Sequence, residues 1–458
     1  MVEFATGAGI CFVVCVLGLS RTVRCLAGHC ISSLLLGFVV LVAYWRLYVE
    51  FMSGRWWRPD VALQRLLRPA ELHGTKAVLV DEVKHSFDTE FYVEDHGFDC
   101  ERHEVTTEDG YILHCFRVFK KDARDLSLPP ILLQHGLFQS SGIFVTSEED
   151  SMAFHFANKG YDVWLGNNRC IHEKGHTTMK PHEAQYWEWG LDELGHFDFP
   201  AFVDYVTKAT GHEKVVFVGH SQGNAQAFVG LSRNPQVAQK LELFVALAPA
   251  FYIGRLGHWA LEAMVSMPSC IFYQLFGECS FIPVMYVVQR LMAPQAFGHL
   301  AYNMFNYLFS WGDTYWCHWR KTKYFLFTPR PVSSRLIHHW GEITRTGQLK
   351  PYTAMRKDTI ADDELGPEAA SEREERAKVY SVANIGCPVA LFYGGKDKLV
   401  QGKALVETLQ ASKEVDLVHH SEIPHYEHMD VVWAHDARDT VFDPIDSLIR
   451  NAGKLRRA

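Results

Sequence analysis

The pentapeptide Gly219-His220-Ser221-Gln222-Gly223 fits G-x-S-x-G, the spacing in which a serine hydroxyl is offered as a nucleophile. Such a serine needs a buried strand, a sharp turn that lifts its oxygen into the open, and a helix whose first N–H groups point at the reacting atom. Val215, Val216, Phe217 and Val218 supply the apolar strand, and Asn224-Ala225-Gln226-Ala227-Phe228 reads as the start of the helix. The two glycines let strand and helix pack closely around a strained turn. Attack on a carbonyl also creates an oxyanion, which needs two fixed N–H donors. In "PPILLQHGLFQSS" a buried strand, Ile131 to Leu133, runs into His135-Gly136-Leu137. The N–H groups of Leu137 and of Gln222, the residue after the serine, are therefore the candidate donors.

The serine also needs a base, and the base needs an orienting acid. "CPVALFYGGKDKLV" holds a buried strand, Val389 to Tyr393, a Gly394-Gly395 break, and Asp397 just past the strand end, where such an acid belongs. Among the histidines, His419 and His420 fall inside the last expected strand, "VDLVHH", and His435 inside a helix beginning near Val431. His425 and His428, in "IPHYEHMD", occupy the loop between them, so position leaves two candidates for the base.

The elements that must position these groups alternate along the chain. "CERHEVTTEDGYILHCFRVFK" reads as an antiparallel hairpin turning at Glu108-Asp109-Gly110. "GYDVWLGNNRC" is a strand entering a polar loop, and "LGHFDFPAFVDYVTKATG" is an amphipathic helix with Phe197, Phe202 and Val206 on its apolar side. Strands and helices in this order imply an α/β fold whose mostly parallel sheet is covered on both faces. With 458 residues, 48% of them hydrophobic, the chain can bury a large core as one α/β domain with an insertion or as two domains. A net charge of -8 without a clustered basic surface argues against nucleic acid as a partner; Lys454, Arg456 and Arg457 read as a solvated tail.

The first 60 residues differ from the rest. Phe4 to Leu19 is apolar, and Leu26 to Trp45 is a second apolar stretch interrupted by His29. Arg21 and Arg24 lie between them; Arg46, Arg55 and Arg58 follow. Met1-Val2-Glu3 makes a poor start for a secretory leader. The expectation is a membrane anchor formed by Leu26 to Trp45, with the first stretch as a second span or one arm of a hairpin. The chain lacks an N-x-S/T sequon and its cysteines suggest no clear disulfide framework, which together point to a cytosolic catalytic domain.

These residues carry a resemblance. "VTTEDGYIL", "LLQHGLFQSS", "YDVWLGNNR", "GLDELGHFDFPAFVDYV", "VGHSQGNAQAF", "ALAPA", "QLFGECSFIP", "FYGGKD" and "YEHMDVVWAHDA", spread over residues 96–440, resemble the acid lipase family of α/β-hydrolases. That family includes gastric and lysosomal acid lipases and membrane-anchored steryl ester hydrolases. The resemblance implies Ser221 as nucleophile, Asp397 as acid, His428 as base and His425 as bystander, and it supports Leu137 and Gln222 as oxyanion donors. It further implies a helical cap with a lid between Ser221 and Asp397. The resulting division is an anchor at 1–60, a first core part at 61–249, a cap with an acidic loop at 250–378, and a second core part at 379–458. The acidic stretch Ala361 to Arg376 reads as a solvated loop. Cys270 and Cys279 do not fall where the cap disulfide of the secreted members would.

Residues 250–327 are crowded with aromatic rings, among them Phe251, Trp259, Phe305, Trp311 and Trp319. A cap this apolar suits a long-chain ester whose tail is buried while its carbonyl meets the oxyanion donors. The expected function is hydrolysis of lipid esters, first steryl esters, with triacylglycerols as the close alternative. An acyltransferase, or an inactive lipid-binding or tethering protein, stands further off. No cofactor or metal is implied; His338 and His339 are adjacent and lack a ligand spacing. The expected partners are a lipid ester substrate and the surface of a membrane or lipid droplet, with the endoplasmic reticulum membrane or the droplet as location. The sequence leaves the oligomeric state unknown.

Overall fold

The structure is a computed structural model, and it describes residues 21–52, 85–171, 175–353 and 379–455. The first apolar stretch, the acidic stretch Ala361 to Arg376, and Arg55, Arg58, Arg456 and Arg457 lie outside the described residues.

Eight strands form one sheet: β1 (Asp99–Thr106), β2 (Ile112–Phe119), β3 (Ile131–Gln134), β4 (Val163–Asn167), β5 (Val215–His220), β6 (Leu241–Leu247), β7 (Val389–Gly394) and β8 (Leu417–Ile423). Their spatial order is β1-β2-β4-β3-β5-β6-β7-β8. The β1–β2 hairpin is antiparallel and meets β4 antiparallel; every pairing from β4 to β8 is parallel. At the hairpin turn Gly110 takes φ +91°, a backbone that favours glycine, and the Thr107 hydroxyl donates to Asp109 at 2.6 Å. The central strand β5, in the register Val216–Ile131 and Val216–Leu243, is buried along its whole length.

Twelve helices of seven residues or more are described. They are α1 (Arg21–Met52), α2 (Thr89–Asp95), α3 (Met152–Asn158), α4 (Phe199–Thr210), α5 (Gln222–Arg233), α6 (Trp259–Val265), α7 (Ser269–Phe276), α8 (Val284–Leu291), α9 (Pro294–Phe309), α10 (Ser334–Thr346), α11 (Gly402–Ala411) and α12 (Asp443–Leu455). The alternation of strand side chains divides the core in two. Leu132, Trp164, Phe217 and Leu391 pack with Phe202 and Val206 of α4 and Phe228 of α5 on one face. Leu133, Val163, Val218 and Phe392 pack with Phe154 of α3 and Ile445 of α12 on the other. Each such buried side chain contributes roughly 1.5–3 kcal/mol, so both faces hold the sheet rigid beneath the site. Helices α6 to α10 fall between β6 and β7 as an insertion in the chain order.

Three local expectations need correction. Phe197 is half-buried and Phe199 takes the core position, fully buried. A π-helical turn, Leu194–Asp198, precedes α4 and shifts the face by a fraction of a turn, which a regular 3.6-residue count cannot anticipate. His435 lies in a turn just after the short helix Asp430–Trp433, not inside it. Cys279 is disulfide-bonded, with its partner outside the described side chains. This corrects the expectation that the cysteines form no clear disulfide framework.

Candidate active site

Ser221 sits between β5 and α5 at φ 52° and ψ -115°, a backbone that costs of order 1–3 kcal/mol and persists only where its surroundings impose it. Those surroundings are visible. The Ser221 N–H donates to the Leu247 carbonyl at 3.0 Å, and the Ser221 carbonyl accepts from Asn224 N–H at 3.0 Å and Ala250 N–H at 3.3 Å. A Cβ on Gly223 would lie 2.6 Å from the Gln134 carbonyl oxygen, and one on Gly219 would lie 2.4 Å from Asn224 Oδ1. Both glycines are therefore demanded by close approach, which is the mechanical content of the pentapeptide.

The structure brings the sequence-derived residues together. His428 Nδ1 donates to Asp397 Oδ2 at 2.7 Å, which leaves Nε2 unprotonated to accept from the Ser221 hydroxyl at 2.9 Å. The Asp397 side chain is 1% exposed, and its other oxygen accepts from Leu399 N–H at 2.9 Å and Val400 N–H at 3.2 Å. His425, in the same loop, points away: its side chain is 37% exposed, 3.6 Å from Asp436. Gln222 opens α5 directly after the serine, and Leu137 lies in the turn after β3. Neither N–H has an acceptor among the described residues. The two donors stand free, and a helix N-terminus adds its positive end to one of them.

Several residues that hold this arrangement were not visible in the sequence. Gln139 Oε1 accepts from Gly136 N–H at 2.8 Å and from His220 Nδ1 at 3.0 Å, tying the turn that carries Leu137 to the strand that carries Ser221. Burial holds the His220 imidazole neutral, its pKa well below the ordinary value, with the neighbouring His428 pushing the same way. His135 is also kept neutral by burial, its pKa down at about 4; its Nδ1 donates to the Gly136 carbonyl at 2.8 Å and its Nε2 accepts from Asn168 N–H at 3.2 Å. Trp340 of α10 donates from its indole to Gln222 Oε1 at 2.8 Å. Only a signal from through-space proximity could have found these, since Gln139 and His220 are 81 residues apart.

The insertion closes over the serine. Trp311 stacks on the His428 ring at 5.3 Å and 18°, and is itself stacked by Phe305 at 5.4 Å and Phe309 at 4.9 Å. The following segment is pinned to the His428 loop: the Gly312 N–H donates to Glu427, and the Trp316 indole donates to Asp430 at 2.8 Å. Burial raises the pKa of both carboxyls, Asp430 to about 6. Ser221 is 7% exposed, and the cavity beside Gly136, Phe138 and Gln222 amounts to about 10 Å³, room for a single water.

The chain has measurable relatives. Residues 89–148 match the family described as partial alpha/beta-hydrolase lipase region, and residues 129–255 match the alpha/beta hydrolase fold. Sterol esterase 2 of Saccharomyces cerevisiae is 32% identical over 399 residues, covering 81% of this chain and 73% of the yeast protein. Human gastric triacylglycerol lipase is 29% identical over 364 residues, covering 77% of this chain and 88% of the lipase. A crystal structure from Sulfolobus solfataricus superposes with a TM-score of 0.50 at 11% identity, covering 77% of this chain and 94% of that one, a likeness of fold alone.

Proposed function

From the premise that the chain belongs to the acid lipase family of α/β-hydrolases and is a carboxylic ester hydrolase of lipid esters, we propose that it cleaves steryl esters to sterol and fatty acid. The observation that carries the chemistry is the unbroken line from Asp397 through His428 to Ser221, with two unengaged N–H groups beside it. In this reading His428 Nε2 takes the Ser221 proton as the hydroxyl attacks the ester carbonyl. Asp397 holds the imidazole in the required tautomer and stabilises the imidazolium. The Leu137 and Gln222 N–H groups hold the oxyanion, each worth about 3–4 kcal/mol to the transition state. His428 returns the proton to the departing sterol, and water, activated by the same histidine, releases the acid from the acyl-serine.

The choice of alcohol rests on the yeast sterol esterase, a relative aligned along most of this chain, and on the apolar helix α1, which suits a substrate that never leaves lipid. The second reading, a triacylglycerol lipase, is supported by the gastric enzyme. The test offers cholesteryl oleate and triolein side by side to detergent-solubilised full-length protein, with Ser221→Ala as control. Fatty acid released from the steryl ester and lost in the variant is the expected result. Preference for triolein would move the assignment to lipase, and no Ser221-dependent release from either would end the hydrolase reading.

A further inference from the structure

The helix α1 is the large apolar feature that the chemistry of Ser221 leaves unused. Its stretch Leu26–Arg46 has 21 residues of mean hydropathy 2.2. At a 1.5 Å rise it is about 31 Å long, enough to cross a bilayer. Yet it does not stand clear of the protein. A Cβ on Gly28 would lie 2.4 Å from the Gly277 amide nitrogen, so the helix backbone rests directly on the end of α7. Further along the same stripe Ser32 is fully buried, Leu36 packs on the core, and Ala43 is 1% exposed. At the far end the Arg46 guanidinium lies 5.9 Å from the centre of the Tyr307 ring on α9, and Tyr307 in turn accepts from the Trp259 indole of α6 at 3.4 Å. The insertion therefore follows the helix from residue 28 to residue 46, about 27 Å of its length.

Those contacts conflict with an upright span. A helix crossing the hydrocarbon would carry α7 and α9 with it, and α9 exposes Gln295, His299 and Asn306, polar groups that cost several kcal/mol each in lipid. The opposite stripe of α1 is apolar and open: Leu34 is 75% exposed, Phe38 56%, Leu41 70% and Trp45 66%. Spacings of four, three and four put these on one helix face. Beside the helix, Trp259 is 54% exposed and Ile271 of α7 is 43% exposed.

We propose that α1 lies in the plane of a single phospholipid leaflet, with Leu34, Phe38, Leu41 and Trp45 in the acyl chains and its opposite stripe fastened to the insertion. Trp259 and Ile271 enter the same leaflet beside it. Tyr48 and Trp259 stand at headgroup depth. Such a helix usually turns a charged face to water; here the protein itself covers that face. The partner is a lipid surface one leaflet deep, which a droplet monolayer provides as well as a bilayer does. The proposal holds whichever ester is cleaved.

Its test uses full-length protein on phosphatidylcholine vesicles, with a fluorescent amino acid placed singly at Leu34, Phe38, Leu41 or Trp45 and bromine carried at shallow or deep positions of the acyl chains. Equal depth at all four positions, within a twofold quenching ratio, is the expected result. A profile deepest at one position and shallower toward both ends is that of a span and overturns the proposal. Gly28→Leu, which wedges the helix off α7, should destroy the equality while leaving hydrolysis of a soluble ester unchanged. An unchanged depth profile in that variant would overturn the role of the contact. Because depth is read without turnover, a failure here is distinct from a failure of the hydrolase assignment.

Discussion

The sheet and the insertion meet at Ser221 and hold it by opposite means. On the sheet side the serine, the acid and the oxyanion turn are fixed by directed bonds: Ser221 to Leu247, Asp397 to two backbone N–H groups, Gln139 to both Gly136 and His220. On the insertion side the contact with the His428 ring itself is a stack of rings, Trp311 on Phe305 and Phe309, and the Trp311 indole N–H has no partner among the described residues; the directed bonds of the insertion, Gly312 to Glu427, Trp316 to Asp430 and Trp340 to Gln222, go to neighbours of His428 and Ser221. Hydrogen bonds lose most of their worth with a small change of angle, whereas dispersion between rings survives sliding. The catalytic bonds are of the first kind, and the cover placed directly on the His428 ring is of the second.

That contrast can be broken from either side. Asp397→Asn keeps the shape of the site but takes away the tautomer of His428, so kcat should fall about 10⁴-fold with the thermal transition little changed. Stopped-assay kinetics beside a melting curve would decide, and a loss under tenfold would mean that the acid does not orient the base. Gln139→Leu strands two buried N–H groups, each costing about 1–3 kcal/mol. It should lower kcat roughly 10²-fold while KM stays near that of the parent. A change confined to KM would place Gln139 in substrate binding instead.

Asp430 tests the boundary between the two sides. Its folded pKa of about 6 lies above the unfolded value, so the folded protein holds an extra proton between about pH 4 and 6. Stability should therefore be greatest below that window, fall by up to about 3 kcal/mol as pH rises through it, and level off above. Urea unfolding across pH 4–7 should show this slope in the parent and its absence in Asp430→Asn; parallel curves would remove Asp430 from the account. Least of all, Trp311→Ala should alter kcat/KM on a lipid ester less than tenfold while speeding the labelling of Ser221 by a small phosphonate. If labelling is unchanged, the rings are not the barrier.

The parallel sheet, Ser221 and Asp397 were legible because each depends on a local pattern: a run of β-branched residues, a glycine on either side of the turn, an acid just past a strand end. The histidine was not, since His425 and His428 share one short loop. Local bonds decide between them. Tyr426 N–H donates to the Ile423 carbonyl at 3.1 Å and Glu427 N–H to Asp430 at 2.6 Å, a tight coil that turns residue 428 inward. Phe199 was hidden by a π-helical turn that breaks the period on which the reading relied. Gln139, Trp340 and the Cys279 bridge were hidden for a plainer reason, because each acts on a neighbour that is distant in the chain.

With Ser221 only 7% exposed beneath the insertion, time rather than affinity is the scarce quantity. If the serine is uncovered for a fraction f of each second, the apparent dissociation constant of any ester is raised by 1/f, so exposure for about one part in a hundred weakens capture about a hundredfold. Esters dissolved in the surrounding water, dilute and briefly met, are then mostly missed. Esters packed shoulder to shoulder in lipid wait at the door whenever it opens, and selectivity arises from crowding before any contact with the substrate is made.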